Sequence, residues 1–294
     1  MPNFLVIVLQ QRHELSPENE FAFDVLTYAL IIISISFILL KLFYFFEMAY
    51  VEHVKKQLFY NHIYIYKKSL QTDYKKFLKK NFRFYDRLPD KQKTYFEHRV
   101  SRLLKDKEFI GKNMAITDEM KILIAATQTK LTFGLRDYRI NSVKRIIFYP
   151  KEFYSYTNKA YHKGEFNLEY KALVFSWKDV IHGYDIKDDN INLAVHEFIH
   201  AIHFYYISAR KRSTSAAIFI DSYYELKETL DRDTALKNKL ITSKYLRDYA
   251  YTNQFEFLAV VIESFIETPK ELKSQFPEIY EKVKEMLNFN FAGY

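Results

Sequence analysis

The chain has 294 residues and a formal net charge of +8, with 27 Phe and 25 Tyr but only 5 Gly. This length is enough to bury a substantial core, and the scarcity of glycine argues against dinucleotide-binding glycine loops and propellers and favours helices. Cysteine is absent, which excludes disulfides, cysteine-ligated metals and thiol nucleophiles, and the dispersed basic residues carry no nucleic-acid-binding signature, so we expect no nucleic-acid partner.

The first predicted element is a transmembrane helix over residues 25–46, which follows a short N-terminal segment, residues 1–24. The helix contains one charged side chain, Lys41, and would span about 33 Å, enough for the hydrocarbon core of a bilayer. A core helix is rarely apolar all round for that length, and a signal peptide would need a basic start and a small-residue cleavage site. Basic residues follow the span, so the positive-inside tendency predicts a cytoplasmic C-terminal domain; they are Lys55, Lys56, Lys67 and Lys68.

A juxtamembrane linker and two helices are predicted next. Residues 47–71 are expected to continue the helix out of the membrane and to break it near Asn61 and His62. Two helices joined near Pro89 should occupy residues 72–108, because proline suits the first turn of a helix.

One further helix and two strands are predicted before the main motif. The helix should begin after Thr117, which is a plausible N-cap, and close at Gly134. β-Branched and aromatic residues predict strands over residues 143–149 and 170–176, the second leading directly to the helix that carries the main motif.

The stretch Asn192–His200 contains His-Glu-x-x-His, the pattern of a zinc-binding helix. At 3.6 residues per turn, His196 and His200 project from one face and can bind one metal ion, and the Glu197 carboxylate can accept a proton from metal-bound water. A surface helix could carry the same residues, but the apolar neighbours predict a core helix, in which unliganded polar side chains would be costly. His203 lies two turns beyond His196, so it could line the cleft but is poorly placed as a third ligand.

A catalytic zinc site needs a third protein ligand, and the apolar segment 249–265 supplies the best candidate. Glu256 and Glu263 are set into this predicted helix, where acidic side chains need partners, and a metal would satisfy Glu256. Glu263 lies on the same face and could accept an N–H from a ligand histidine, or it could make a structural hydrogen bond. Residues 213–247 should be mostly helical, and a last helix should run from Pro277 to about Leu287.

Further residues extend the pattern beyond His-Glu-x-x-His. They are Leu173–Val180 with Gly183, the helix from Ile116 to Ala126, Tyr249 and Ala250 ahead of Glu256, and Pro277 with Tyr280. With them, the sequence resembles the MtfA-like zinc peptidases, named for a glucose-regulated anti-repressor of the Mlc regulator, over residues 72–288. The resemblance implies that His196, His200 and Glu256 hold zinc and that Glu197 is the catalytic base.

The same arrangement is similar to the catalytic domain of anthrax lethal factor. There a tyrosine two turns before the ligand glutamate faces the substrate carbonyl, and the similarity implies this role for Tyr249. The family usually has an aspartate three residues after the second histidine, whereas this chain has His203, so we group His203 with Glu263 in the surroundings of the ligands.

These features predict an α+β fold, in which a helix-rich, zincin-like metallopeptidase domain with a small sheet, residues 72–290, follows one transmembrane helix. The predicted function is a membrane-anchored peptidase that binds one Zn²⁺ per chain and hydrolyses peptide bonds with metal-activated water. A peptide substrate could add as an extra strand to the strand at 170–176. The alternative is a metal-binding regulator that docks and sequesters a partner, such as a transcriptional repressor, with little turnover.

Overall fold

The computed structural model describes residues 17–186 and 189–294 and divides into two compact units after Tyr50. Helix α1 (Pro17–His53) begins in the first unit. Within the described ranges it is the one helix that is long and apolar enough to cross a bilayer. An N-terminal signal sequence has a similar length and composition, so the helix is compatible with either role.

Helix α1 ends at His53, so the prediction that it continues to Asn61 was wrong. The physical reason is that the segment after His53 docks on the domain, where Leu58 is buried and Lys56 pairs with Glu225. The fully buried guanidinium of Arg99 lies beside this segment. It donates hydrogen bonds to the main-chain oxygen of Asn61 at 3.2 Å and to the hydroxyl of Tyr64 at 2.7 Å.

The helices of the C-terminal unit are α2 (Thr72–Asn81), α3 (Arg83–Arg87), α4 (Asp90–Asp106), α5 (Asp118–Leu131), α6 (Trp177–Asp185), α7 (Leu193–Ala209), α8 (Thr214–Arg232), α9 (Thr234–Thr242), α10 (Gln254–Glu267), α11 (Pro269–Gln275) and α12 (Pro277–Met286), with 3₁₀ turns at Arg210–Arg212 and Asp248–Tyr251. Every predicted helix of the C-terminal unit occurs near its expected position, but residues 72–106 form three helices rather than two, and α6 and α11 were not predicted.

The strands form one mixed four-stranded sheet and a separate hairpin. The sheet has the order β1 (Glu108–Gly111), β2 (Arg145–Tyr149), β6 (Ala172–Ser176) and β5 (Gly164–Asn167), and the hairpin pairs β3 (Phe153–Ser155) with β4 (Ala160–His162). Strands β1, β2 and β6 are parallel, and β5 is antiparallel to β6. The fold is therefore α+β and helix-rich with a small sheet, as predicted.

Strand β6 corrects two expectations about the predicted strand at 170–176. It leads into α6 rather than directly into the helix that carries His196. It also lies between β2 and β5, so both of its edges are already paired and it cannot accept a peptide as a further strand. Within the described sheet the edge strands are β1 and β5.

Of the two predicted boundaries of α5, the first was confirmed and the second was wrong. The Thr117 hydroxyl accepts a hydrogen bond from the main-chain N–H of Met120, so it caps the helix as expected. The helix ends at Leu131, however, and Gly134 does not close it. At Gly134 a Cβ would lie 2.3 Å or less from the main-chain oxygens of Leu287 and Asn288, so glycine is needed there for close packing against the chain after α12.

Candidate metal centre

Helix α7 begins at a cap that fixes its position against the rest of the domain. The side-chain oxygen of Asn192 accepts from the main-chain N–H of Val195 at 3.1 Å. Its amide nitrogen donates to the main-chain oxygen of Gly183 at 2.9 Å and to Glu267 Oε1 at 3.1 Å. Because the first turn is held on three sides, the histidines that follow it have a defined orientation.

Helix α10 begins at a second asparagine cap and carries the third candidate ligand. Asn253 accepts hydrogen bonds from the main-chain N–H groups of Phe255 and Glu256. This places Glu256 in the first turn, and α10 packs against α7. The Glu256 carboxylate thereby reaches the two α7 histidines from the facing helix.

Three ligand atoms converge where α7 and α10 meet. His196 Nε2 lies 2.9 Å from Glu256 Oε2 and 3.0 Å from His200 Nε2, and His200 Nε2 lies 3.5 Å from Glu256 Oε2. Tetrahedral zinc with bonds of about 2.0–2.1 Å places its ligand atoms about 3.3 Å apart, so the triangle fits such an ion. Of the described His, Cys, Asp and Glu residues, these three form a group able to hold a metal.

The charges around His196 also favour a bound metal cation. Burial alone lowers the pKa of His196, but the carboxylates of Glu256 and Glu263 outweigh it and raise the pKa to about 10. Burial acts against the ionised form of Glu256, yet hydrogen bonds from both histidines hold the pKa of Glu256 well below its ordinary value. Without a metal the site thus retains a proton between acidic groups, and a bound cation would replace that positive charge.

Behind His196, Glu263 and Arg247 form a second layer. Glu263 Oε1 lies 3.3 Å from His196 Nδ1, and Arg247 Nη2 donates to Glu263 Oε2 at 2.7 Å. Arg247 Nη2 also lies 3.1 Å from His196 Nδ1. A ring that binds metal through Nε2 carries its hydrogen on Nδ1, so we assign that hydrogen to the fully buried Glu263 rather than to the cationic Arg247.

Glu197 is buried beside the ligands, against the edge strand β5. Burial raises the pKa of Glu197, and the neighbouring histidine charges lower it in part. A Cβ added at Gly164 would lie 2.6 Å from Glu197 Oε1 and 2.7 Å from a methyl carbon of Leu193. The strand can therefore approach Glu197 this closely only because residue 164 is glycine.

Tyr249 lies in the 3₁₀ turn before α10 and is half exposed. Its ring centre is 5.9 Å from that of His196. Burial and the carboxylate of Glu256 raise the pKa of Tyr249 to about 12, so its hydroxyl is protonated and can donate a hydrogen bond at neutral pH.

His203 is not among the side chains whose donor atoms converge. It is buried between aromatic rings, with its centre 5.0 Å from the ring of Tyr223 and 5.4 Å from that of Phe255. Neither ring nitrogen has a hydrogen-bond partner among the described residues. Burial lowers the pKa of His203 to about 4, so the ring is neutral near pH 7.

The sequence interpretation missed Arg247 and Gly164. Arg247 is two residues before Tyr249, just outside the segment 249–265 that the sequence singled out, and a surface arginine and one that holds a buried carboxylate look alike in sequence. Gly164 is one of 5 glycines in the chain. That scarcity was a usable signal, since each glycine then needs a local reason.

Comparison with known proteins adds two findings. A family model described as glucose-regulated metallopeptidase M90 matches residues 55–287, which include every residue of the metal centre. An uncharacterised protein of Synechocystis sp. (strain ATCC 27184 / PCC 6803 / Kazusa), slr2042, is 26% identical over 223 residues, 69% of this chain and 78% of that protein.

Proposed function

The chain belongs to the M90 family of glucose-regulated metallopeptidases, and we propose on that premise that it is a zinc-dependent peptidase anchored in a membrane. The observation that carries the proposal is the convergence of two imidazole nitrogens and one carboxylate oxygen within 4.8 Å of one another. They lie beside a buried glutamate that is not one of the three ligands.

The donor set fits zinc and argues against magnesium and calcium. Imidazole nitrogens suit zinc, copper, iron and nickel, whereas magnesium and calcium prefer oxygen ligands alone. Two imidazoles and one carboxylate at the corners of a small triangle leave a fourth tetrahedral position for water, as in catalytic zinc sites. Such an ion supplies Lewis acidity, which lowers the pKa of water and polarises a peptide carbonyl.

The roles of the protein groups follow from their positions. Glu197 accepts the proton of the attacking water and returns it to the leaving amine. The Tyr249 hydroxyl donates a hydrogen bond to the carbonyl oxygen as negative charge develops there, so it stabilises the transition state more than the substrate. Glu263, held by Arg247, fixes the ring of His196.

Strand β5 is where we place the substrate. Ser176 N–H donates to the main-chain oxygen of Lys163, so Lys163 and Ser176 form a hydrogen-bonded pair. Such pairs alternate along an antiparallel ladder. The main-chain groups of Gly164 and Phe166 therefore point away from β6, toward the free edge, where an extended peptide can pair with them beside Glu197.

The anchoring part of the proposal rests on α1. Its apolar side chains are largely exposed, for example Ile32, Ile33 and Leu40 at 64%, 64% and 68%. A soluble protein rarely leaves a continuous apolar helix uncovered, whereas lipid would cover it. Together with the lysines that follow the helix, this supports a single span over residues 25–46 with the peptidase domain in the cytoplasm.

The experiment that tests the proposal measures metal and cleavage together. The full chain in detergent should contain one zinc per chain by elemental analysis and should cut unstructured peptides in a chelator-sensitive way, as mass spectrometry would show. His200→Ala combined with Glu256→Ala should lose both zinc and cleavage. His182→Ala, an exposed histidine elsewhere, should lose neither.

Two results would contradict the proposal. Zinc content unaffected by the double substitution would reject the ligands. Zinc without cleavage of any peptide would reject the peptidase activity and favour the alternative, in which the chain docks a regulatory partner with little turnover.

A further inference from the structure

Three exposed tyrosines lie on the hairpin that precedes β5, and the mechanism does not use them. Tyr154 and Tyr161 are directly opposite each other in the β3–β4 register, with ring centres 5.5 Å apart. Tyr156 lies at the turn, with its ring 5.4 Å from that of Tyr154. We call the surface formed by Tyr154, Tyr156 and Tyr161 the tyrosine face.

The tyrosine face is exposed although the hairpin packs against the domain. The alternate residues of β3, Phe153 and Ser155, are 6% and 5% exposed, whereas Tyr154, Tyr156 and Tyr161 are 43%, 88% and 73% exposed. The hairpin is thus anchored by one face and presents three aromatic rings on the other. Tyrosine combines a large apolar contact area with few rotatable bonds, which suits it to recognition surfaces.

One residue, Lys163, separates the hairpin from β5. Its main-chain oxygen accepts the N–H of Ser176 at 2.6 Å, and its Nζ lies 3.1 Å from Asp179 Oδ1. These contacts tie the base of the hairpin to the sheet at the point where Gly164 touches Glu197. Tyr161 lies three residues before Gly164, with a bend at Lys163 between them, so their Cα atoms are at most about 10 Å apart.

We propose that the tyrosine face binds an aromatic or aliphatic side chain of the peptide substrate, about three residues from the cleaved bond. This inference rests on the proposed function. An extended peptide paired with β5 passes Gly164 and then covers the distance to Tyr161 with about three residues. The tyrosine face thus selects peptides by an apolar side chain outside the metal centre, on the side of the cleaved bond that lies toward the hairpin.

The test measures peptide binding separately from turnover. In an otherwise small and polar peptide, a single Phe is moved along the chain on either side of the cleaved bond, and Kd is measured on the full chain carrying Glu197→Gln. Phe about three residues away on one side should lower Kd by about 3–10-fold relative to Ser, the usual size of an aromatic contact. Tyr154→Ser with Tyr156→Ser and Tyr161→Ser should abolish that difference.

Matched controls make the result specific. Tyr224→Ser removes an exposed tyrosine on α8 and should keep the Phe preference. Zinc content and circular dichroism report whether the triple variant folds, and the single change Tyr156→Ser, at the most exposed tyrosine, should weaken the preference if the triple variant does not fold.

The outcomes separate this inference from the proposed function. A Phe preference that persists in a folded triple variant would overturn the inference. Unchanged peptide binding by a triple variant that no longer binds anionic lipid vesicles would overturn it as well, and would assign the tyrosine face to a bilayer. Failure of the wild-type chain to cut any peptide contradicts the proposed function instead. The inference is still tested in that case, because a Phe preference at one peptide position, and its loss in the triple variant, can be measured as Kd on the Glu197→Gln background without cleavage.

Discussion

At the scale of single residues, the proposed mechanism uses groups that act on the substrate without holding the metal. Tyr249 and Glu197 have these proposed roles, and Gly164 lets β5 approach Glu197 by having no side chain. The sequence already proposed the first two roles, that of Glu197 from the motif and that of Tyr249 from the family resemblance, and both stay predictions. The effect of Gly164 could not be predicted, because it depends on how closely β5 approaches α7, and no local pattern encodes that distance.

Tyr249→Phe removes one oxygen and should separate a catalytic from a packing role. We expect kcat to fall by about 10²–10³, the usual size for one oxyanion donor, with zinc content and KM little changed. Tyr251→Phe is the matched control, since its hydroxyl lies in the same turn but donates to the main-chain oxygen of Leu240. A kcat for Tyr249→Phe within about threefold of wild type would make Tyr249 a structural residue.

Gly164→Ala should impair catalysis by displacing Glu197. The added methyl group would overlap the Glu197 side chain and a methyl group of Leu193, so the carboxylate must shift, and a displacement of about 1 Å can cost about 10²-fold in rate. Zinc content should stay the same because the three ligands are untouched. Glu165→Ala, one residue along the strand, should have a small effect. Steady-state kinetics on both variants would show this, and full activity of Gly164→Ala would place Glu197 elsewhere during the reaction.

At the scale of elements, most helices were predictable and their connections were not. The motif helix, the helix with Glu256 and the last helix all occur near their predicted positions, whereas α6 and α11 were not predicted. The predicted extension of α1 failed because the segment after His53 docks on the domain through residues distant in sequence, among them Glu225 and Arg99. The identity of the free edge also could not be predicted, since it depends on sheet order rather than on the residues of any one strand.

The cap of α7 is coupled to pH through Glu267. Burial and the charges of Glu263 and Asp189 raise the pKa of Glu267 to about 7, although its hydrogen bond from Asn192 lowers it and Lys130 also acts to lower it. In the unfolded chain the pKa returns to about 4.3. Between these values the folded chain binds more protons, so this contribution to stability is present below about pH 4 and is lost as pH rises to about 7.

Glu267→Gln should remove this dependence. The variant should resemble the wild type near pH 4 and exceed it in free energy of unfolding at pH 8 by about 1–3 kcal/mol. Denaturant titrations at several pH values would measure this. The exposed Glu271→Gln serves as the control, and a wild-type chain that gains stability relative to Glu267→Gln between pH 4 and 8 would contradict the expected direction.

At the scale of the whole molecule, the apolar helix α1 should hold the chain in a membrane. The full chain should sediment with membranes and be released by detergent but not by high salt, whereas a chain that begins at Val51 should stay in solution with its zinc. Because the protein has no cysteine, Ser274→Cys and Ser16→Cys can report topology. Ser16 lies outside the described residues.

We expect an impermeant thiol reagent on intact cells to label the cysteine at position 16 and not the one at position 274, which lies on the exposed surface of α11. The reverse pattern would place the peptidase domain outside the cell. Recovery of the full chain in the soluble fraction would contradict membrane anchoring by α1.

The most direct test of the account is the Glu197→Gln variant, with zinc content and peptide cleavage measured on the same sample. Glutamine keeps the shape of the side chain but cannot accept a proton. We therefore predict one zinc per chain and a rate of peptide hydrolysis lower by about 10²–10⁴, the contribution of general base catalysis. Near-normal hydrolysis by a Glu197→Gln sample that holds its full zinc would contradict the account.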